Sequence, residues 1–228
     1  MLTNSDWTAL LLTVRLATVV TLILLVVCIP LAWWLARSRS VWRGPLWAIT
    51  TLPLVLPPTV LGFYLLIALS PMSALGGWLQ ASGLPSLVFS FSGLVVASII
   101  YSLPFVLQPI YASMMQIDNK VLDAATTLGA GPWNRFFYIV LPLSRQGILL
   151  AALLGFLHTV GEFGVVLMLG GNIPGETRVL SVQIYDYVES LDFAGAHRLS
   201  LILTCCAFLV LLVIYRLSDV SRTKRDKQ

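Results

Sequence analysis

Few side chains in this 228-residue sequence are suited to reaction chemistry, and those few are scattered. The histidines are His158 and His197, and the cysteines are Cys28, Cys205 and Cys206. Neither set has the CxxC or paired-histidine spacing of a metal centre, so none is expected. The cysteines lie inside apolar runs, where a free thiol acts as an inert packing residue. No GxSxG, HExxH or clustered acid and histidine is present, so no catalytic residue is expected. One acid stands out by position. Glu162, in Gly161-Glu162-Phe163-Gly164, closes a long apolar stretch, with His158 one turn before it. An ionisable group at that depth is functional or paired. Glu162 is therefore read either as part of a gate or as the partner of Arg15.

A second stretch is suited to mechanical work. Asp123-Ala124-Ala125-Thr126-Thr127-Leu128-Gly129 is followed ten residues later by Ile139-Val140-Leu141-Pro142. Asp118 and Asn119 can cap a short helix through Leu128, and Gly129 and Gly131 can end it. Pro132 then opens a second helix, on which Trp133, Phe136, Phe137 and Val140 make one apolar stripe. Ala124 and Ala125 let another protein's backbone approach closely, and Asp123 adds one charge to fix register.

Composition dictates the elements that must carry these groups. The chain is 58% hydrophobic and 11% charged, with mean hydropathy +0.90. Soluble domains carry roughly 25% charged residues. No Lys, Arg, Asp or Glu occurs from Gly44 to Ile117, which is room for two membrane spans and an uncharged connection. The expected fold class is an all-α polytopic membrane protein, one transmembrane domain over residues 1–228. Its spans fall at about 16–36, 47–69, 93–115, 143–163 and 199–215. A sixth segment could come from the N-terminal residues or the amphipathic stretch 179–188. Pro30 should kink the first span. Pro53, Pro57 and Pro58 in the second, and Pro104 and Pro109 in the third, free backbone carbonyls that hydrocarbon does not tolerate. Those helices should therefore be broken and face protein or a watery pathway. A Gly- and Pro-rich link joins them at 71–86, and the longest polar stretch spans 169–198.

Charge fixes the orientation. Eleven of the fourteen lysines and arginines fall after the first span, around 118–145, or in the C-terminal tail, whereas Arg15, Arg178 and Arg198 fall on the opposite face. The basic side is cytoplasmic, which puts the N-terminus outside and the C-terminus inside. The basic residues thus report membrane orientation, and nucleic acid is set aside as a partner. The N-terminal residues lack a basic region followed by a small-residue cleavage site, so no removable signal peptide is expected.

The pattern acid-Ala-Ala-x3-Gly-x9-Ile-x-Leu-Pro resembles the cytoplasmic "EAA" loop of permease subunits from bacterial and archaeal ABC importers, specified at seven positions here. The resemblance implies that Asp123, Ala124, Ala125, Gly129, Ile139, Leu141 and Pro142, within a loop at 118–142, dock into a cleft on an ATP-hydrolysing subunit. Asp123 stands where the family has Glu, so its carboxylate reaches about one methylene less far. The family implies a type I ABC importer permease fold in a bacterial or archaeal cytoplasmic membrane. It also implies two cytoplasmic ATP-binding subunits that use ATP and Mg, an external oxyanion-binding protein, and no cofactor in this chain. Five spans are few for enclosing a pathway, which argues for a two-fold homodimer.

Thr51-Leu52-Pro53-Leu54-Val55-Leu56-Pro57-Pro58, Gly161-Glu162-Phe163-Gly164 and Asn172-Ile173-Pro174-Gly175-Glu176-Thr177-Arg178 look like the molybdate permease subunits of ABC importers. Sulfate, thiosulfate and tungstate permeases are the alternatives. Pro53, Pro57, Pro58, Thr59, Ser102, Pro104 and Glu162 are expected along the pathway or its gate, and Asn172, Glu176 and Arg178, on the external loop, as contacts for the binding protein. A carboxylate on the route of a dianion would repel it, which favours a structural role for Glu162, with Arg15 as its possible partner. Between the interfaces no Lys or Arg is well placed to supply charge, so no tight anion site is expected in the chain. A secondary transporter is the different-class alternative. It would need buried coupling residues and internal repeats, and neither is present.

Overall fold

The structure, a computed structural model, describes residues 2–225, and all regular elements among them are helices. This is what lipid demands, because a helix satisfies its backbone amides internally. α1 runs Asn4–Arg37. It starts twelve residues before the expected span because Thr3 and Asp6 form a capping box. Thr3 N donates to Asp6 Oδ2 at 2.8 Å, and Asp6 N donates to Thr3 Oγ1 at 3.2 Å. α1 continues through Pro30.

The second expected span is bent. α2 (Arg43–Thr51) and a single tight turn at Leu52–Leu54 meet α3 (Pro58–Leu69) at 111°. Pro57 and Pro58 remove two consecutive amide donors, and Pro57 is extended, with φ −56° and ψ 137°. The expected 71–86 link contains a further helix, α4 (Ala74–Ala81).

α5 (Phe91–Met115) stays continuous through Pro104 and Pro109, contrary to the expected breaks. It is clamped along its length between α1 and α8. α6 (Asn119–Thr127) and α7 (Pro132–Arg135) form the elbow, and α7 runs through a π turn at Phe136–Val140 into α8 (Leu141–Gly161). The expected separate helix and fourth span are therefore one 30-residue rod, Pro132–Gly161.

α9 (Gly164–Gly170) packs on α3 and α5, so the polar stretch begins later than expected. α10 (Leu180–Glu189) coincides with the amphipathic stretch, and α11 begins at Phe193 and reaches Arg225. Of the basic tail, Lys227 lies outside the described residues. Among the described residues four helices are long and apolar enough to cross a membrane, and five spans result if the bent pair is counted as one.

The core is a three-way seam. Leu16, Val20, Leu24 and Cys28 of α1 meet Val106, Leu107 and Ile110 of α5 and Ala151 of α8. Gly155 makes the approach possible, because an added Cβ would overlap Val106. A smaller core joins Leu69 of α3, Ala97 of α5 and Val165 and Leu169 of α9. The expectation for the cysteines holds for Cys28 alone, since Cys205 and Cys206 are exposed on α11.

Candidate functional site

The elbow is built from local signals. Asp118 caps α6, its Oδ1 accepting from Lys120 N at 2.9 Å. At the other end Gly129 takes φ +84°. Its N–H donates to Thr126 O at 2.9 Å, and Ala130 N donates to Ala125 O at 2.9 Å. These two bonds close the helix as a Schellman motif, which needs a left-handed residue at that position. Arg135 Nη1 donates to Thr126 Oγ1 at 2.8 Å, tying α7 back onto α6.

Two anchors hold the elbow to the bundle. Leu122 is buried, and Arg37 at the end of α1 donates to Asn119 Oδ1 and, at 2.9 Å, to Ile117 O. Trp33 packs on Phe136 with centroids 6.2 Å apart. A cavity of about 270 Å³ remains between these parts, lined by Trp33, Arg37, Asn119, Asp123 and Arg135 among others.

Asp123 and Ala124 are exposed and Ala125 is half-buried. Gly129 and Pro142 are exposed, and Ile139 and Leu141 are half-buried in the rod. Leu128, at the tip, is 88% exposed. The single apolar stripe expected after Pro132 is split. Phe136 and Val140 face the core, while Trp133 and Phe137 stack outward at 6.1 Å. Phe136 and Phe137 are neighbours about 100° apart around the helix axis, so the stripe straddles the border between core and surface. The result is a small-residue helical knob, rigidly stopped at both ends and continuous with a rod through the bundle. Such a part can receive a push and transmit it.

At the far end of that rod the expected ion pair does not form. Arg15 lies 4.4 Å from the centroid of Phe91, and among the described residues the one salt bridge is Arg178–Asp186 at 3.4 Å. Because α1 begins at Asn4, Arg15 sits in its fourth turn, against the start of α5. Glu162 is 3% exposed, and among the described residues neither of its carboxylate oxygens has a hydrogen-bond partner. The Ser98 hydroxyl, also buried, is its polar neighbour.

Of the residues expected on a pathway, Pro53 is buried and Pro58 half-buried, while Pro57 and Thr59 are exposed at the bend. An added Cβ on Gly164 would lie 2.9 Å from Pro58 Cβ, so α9 and the bend meet closely. Ser102 and Pro104 are buried within the protomer. Ser102 Oγ lies 2.9 Å from His158 Nδ1 and 3.1 Å from Thr159 Oγ1, and His158 stacks on Phe105 at 3.8 Å. His158 is thus a packed, hydrogen-bonded ring.

Asn172 and Arg178 turn inward. Asn172 Nδ2 donates to Asp186 Oδ1 at 2.8 Å, and Arg178 pairs with the other oxygen, so the loop is fastened to α10. Glu176 is exposed at the tip, after Gly175 at φ +79°. Tyr185 OH donates to Glu189 Oε1 at 2.7 Å, which holds the phenol above its ordinary value. Three supports were missed in the sequence. Thr177 Oγ1 donates to Gly170 O at 2.7 Å, Leu180 N donates to Thr13 Oγ1 at 2.7 Å, and Tyr187 OH donates to Asp6 Oδ1 at 2.8 Å. Only Asp6 left a readable trace, as the third residue after Thr3 in a capping box.

Comparison with known proteins agrees with this geometry. Residues 28–226 match the family model described as binding-protein-dependent transport system inner membrane component. The chain is 53% identical over 214 residues to the molybdenum transport system permease protein ModB of Azotobacter vinelandii, covering 94% of this chain and 95% of that protein. It is 35% identical to the protein of the same description from Escherichia coli K12, over 99% of each. Its fold matches a chain of a bacterial alginate ABC transporter solved with an alginate pentasaccharide-bound periplasmic protein. That match has TM-score 0.76 at 19% identity and covers 97% of this chain and 80% of that one. The fold is therefore the type I importer permease fold. With its broken span, continuous rod and elbow, the chain belongs to the family of binding-protein-dependent transport system inner membrane components.

Proposed function

We propose that the chain is the membrane-crossing half of an ATP-driven importer and passes molybdate through the cytoplasmic membrane of a bacterium or archaeon. The observation that carries the coupling mechanism is the elbow joined without a break to the rod Pro132–Gly161. The substrate rests on the relatives named for molybdenum transport. In this reading the N-terminus is outside and the elbow and C-terminus are inside. Two copies pair about a two-fold axis, and two separate ATP-binding subunits, using ATP and Mg, seat one elbow each. An external binding protein supplies the oxyanion. The chain itself holds no cofactor.

Closure of the ATP-binding subunits moves α6 and α7. The push travels along α8 to Gly161, where α9 leans on the proline bend. Opening and closing there requires two packings of the same contacts. The chain offers a dianion no fixed cation between the interfaces, so passage is brief, over hydroxyls and freed backbone groups around Thr59, and selectivity sits in the external protein. Glu162 is enclosed in the protomer and stays off the route. Asn172 and Arg178 hold the loop that presents Glu176 to that protein.

The test is uptake of labelled molybdate by proteoliposomes containing the full assembly, competed with tungstate and sulfate. Uptake without the ATP-binding subunits would overturn the mechanism. Sulfate outcompeting molybdate would shift the substrate toward the second reading. That reading is favoured by relatives such as the probable sulfate transport system permease protein of Anthoceros angustus, 34% identical over 184 residues, with the chain covering 64% of that protein.

A further inference from the structure

Between the end of α3 and the start of α5 the sequence has no charge at all. α4 forms in the middle of this stretch because Ser73 caps it, its Oγ accepting from Gly76 N at 2.8 Å. Apart from the exposed Gln80 at its flank, this helix is apolar on both sides. Inward, Gly76 is pressed onto the last turn of α3, where an added Cβ would overlap Ser70 O, and Leu79 packs on the small core around Leu69 and Ala97. Outward, Ala74, Leu75, Trp78 and Ala81 recur at helical spacing and are all exposed, Trp78 by 64%. Met72, just before the helix, is 99% exposed, and Leu84, just after it, is exposed as well.

Next to α4 opens a crevice of about 600 Å³, lined by Leu66, Ile67, Met72, Val88 and Phe89 among others, whose polar members are serines. Phe89 is held there at φ +58°, with its N–H donating to Leu169 O at 2.9 Å. A helix without a polar face is stable only when both faces are covered. Here one is covered by protein and the other is not.

We propose that residues 70–89 are seated in the outer leaflet of the bilayer. α4 lies along the membrane plane, its Leu75 face among acyl chains and Trp78 at the headgroup boundary, and the crevice takes part of a lipid chain. The inference rests on the reading of the chain as a membrane permease with this end outward. The occupant follows from charge. A soluble partner binds through a patch with a polar rim. The exposed carboxylates of this end, Glu176, Glu189 and Asp192, lie on other segments. The exposed side chains of α3, Phe63, Tyr64 and Ile67, lead along the chain to Met72 as one apolar run, and a Trp-bearing apolar helix is suited to the interface. The outer half of the bent span is thereby braced against lipid.

The test uses the full chain with Cys28→Ala, Cys205→Ser and Cys206→Ser, reconstituted in lipid nanodiscs with its ATP-binding subunits. Spin labels are placed singly at Met72→Cys, Leu75→Cys and Trp78→Cys, with Glu189→Cys as the aqueous reference. Their collision rates with oxygen and with a water-soluble nickel chelate are compared. The expected result is an oxygen-to-nickel ratio several-fold higher at 72, 75 and 78 than at 189. A ratio equal to that at 189 would make this an aqueous loop and overturn the proposal. Low access to both reagents would mean that a second copy or another protein covers α4, and would also overturn it. A lipid-like ratio at 189 would instead strike at the assigned membrane placement, which keeps the two failures distinct.

Discussion

Gly129 offers a direct measure of how much the elbow's shape matters. Its φ of +84° lies in the left-handed region, and a Cβ added there meets nothing within 4 Å. The cost of a side chain is therefore backbone strain alone, about 1–2 kcal/mol for an ordinary L residue and less for Asn, which tolerates that region. A β-branched residue lies beyond Ala on the same scale. In population terms 1–2 kcal/mol is a factor of about 5–30. If α6 must end where it does for a partner to seat it, molybdate taken up per ATP hydrolysed falls in the order Gly, Asn, Ala, Val. Gly129→Ala should sit about 5–30-fold below the parent. Membrane abundance stays unchanged, because the position makes no packing contact. The assay is paired uptake and ATPase measurement in proteoliposomes with binding protein present. Equal coupling in Gly129→Val and the parent would refute the mechanical role. Asn behaving as badly as Val would refute the backbone argument, since the fault would then follow side-chain bulk.

Gly155→Leu should drive α5 and α8 apart through Val106 and lower thermal stability in detergent by the about 1–3 kcal/mol typical of overpacking. Adding Val106→Ala should restore part of it. Thr13→Val leaves the buried Leu180 amide without an acceptor, which should cost about 1–3 kcal/mol in the same unfolding measurement. Arg15→Ala and Glu162→Gln should act independently in a double-mutant cycle on uptake, with a coupling near zero, because the two groups do not touch. A clear coupling would contradict the placement of Arg15 over Phe91.

The elbow was legible because its determinants are local. Asp118 caps, Gly129 stops and Pro132 restarts within fifteen residues. The proline helices were only half legible, since the same residue has two outcomes. Pro57-Pro58 removes neighbouring donors and forces an extended residue, so the chain turns by 111°. Pro104 and Pro109 are separated and gripped by α1 and α8, so tertiary packing keeps the helix whole. The Arg15–Glu162 pairing failed on register. Starting α1 at Asn4 rather than near Leu16 set Arg15 well inside a helix, beside an aromatic ring. The inward turn of Asn172 and Arg178 depended on Asp186, a residue of α10 that no spacing rule links to them.

The π turn at Phe136–Val140 has one more consequence. It stores a spare residue in the rod, with Leu141 N bonded to Phe136 O five positions back. Releasing that spare residue would twist one segment against the other by roughly 100° and slide it about 1.5 Å, the step of a single helical residue. A thread with one loose notch can thus change its setting while its hydrogen-bonded ladder stays intact.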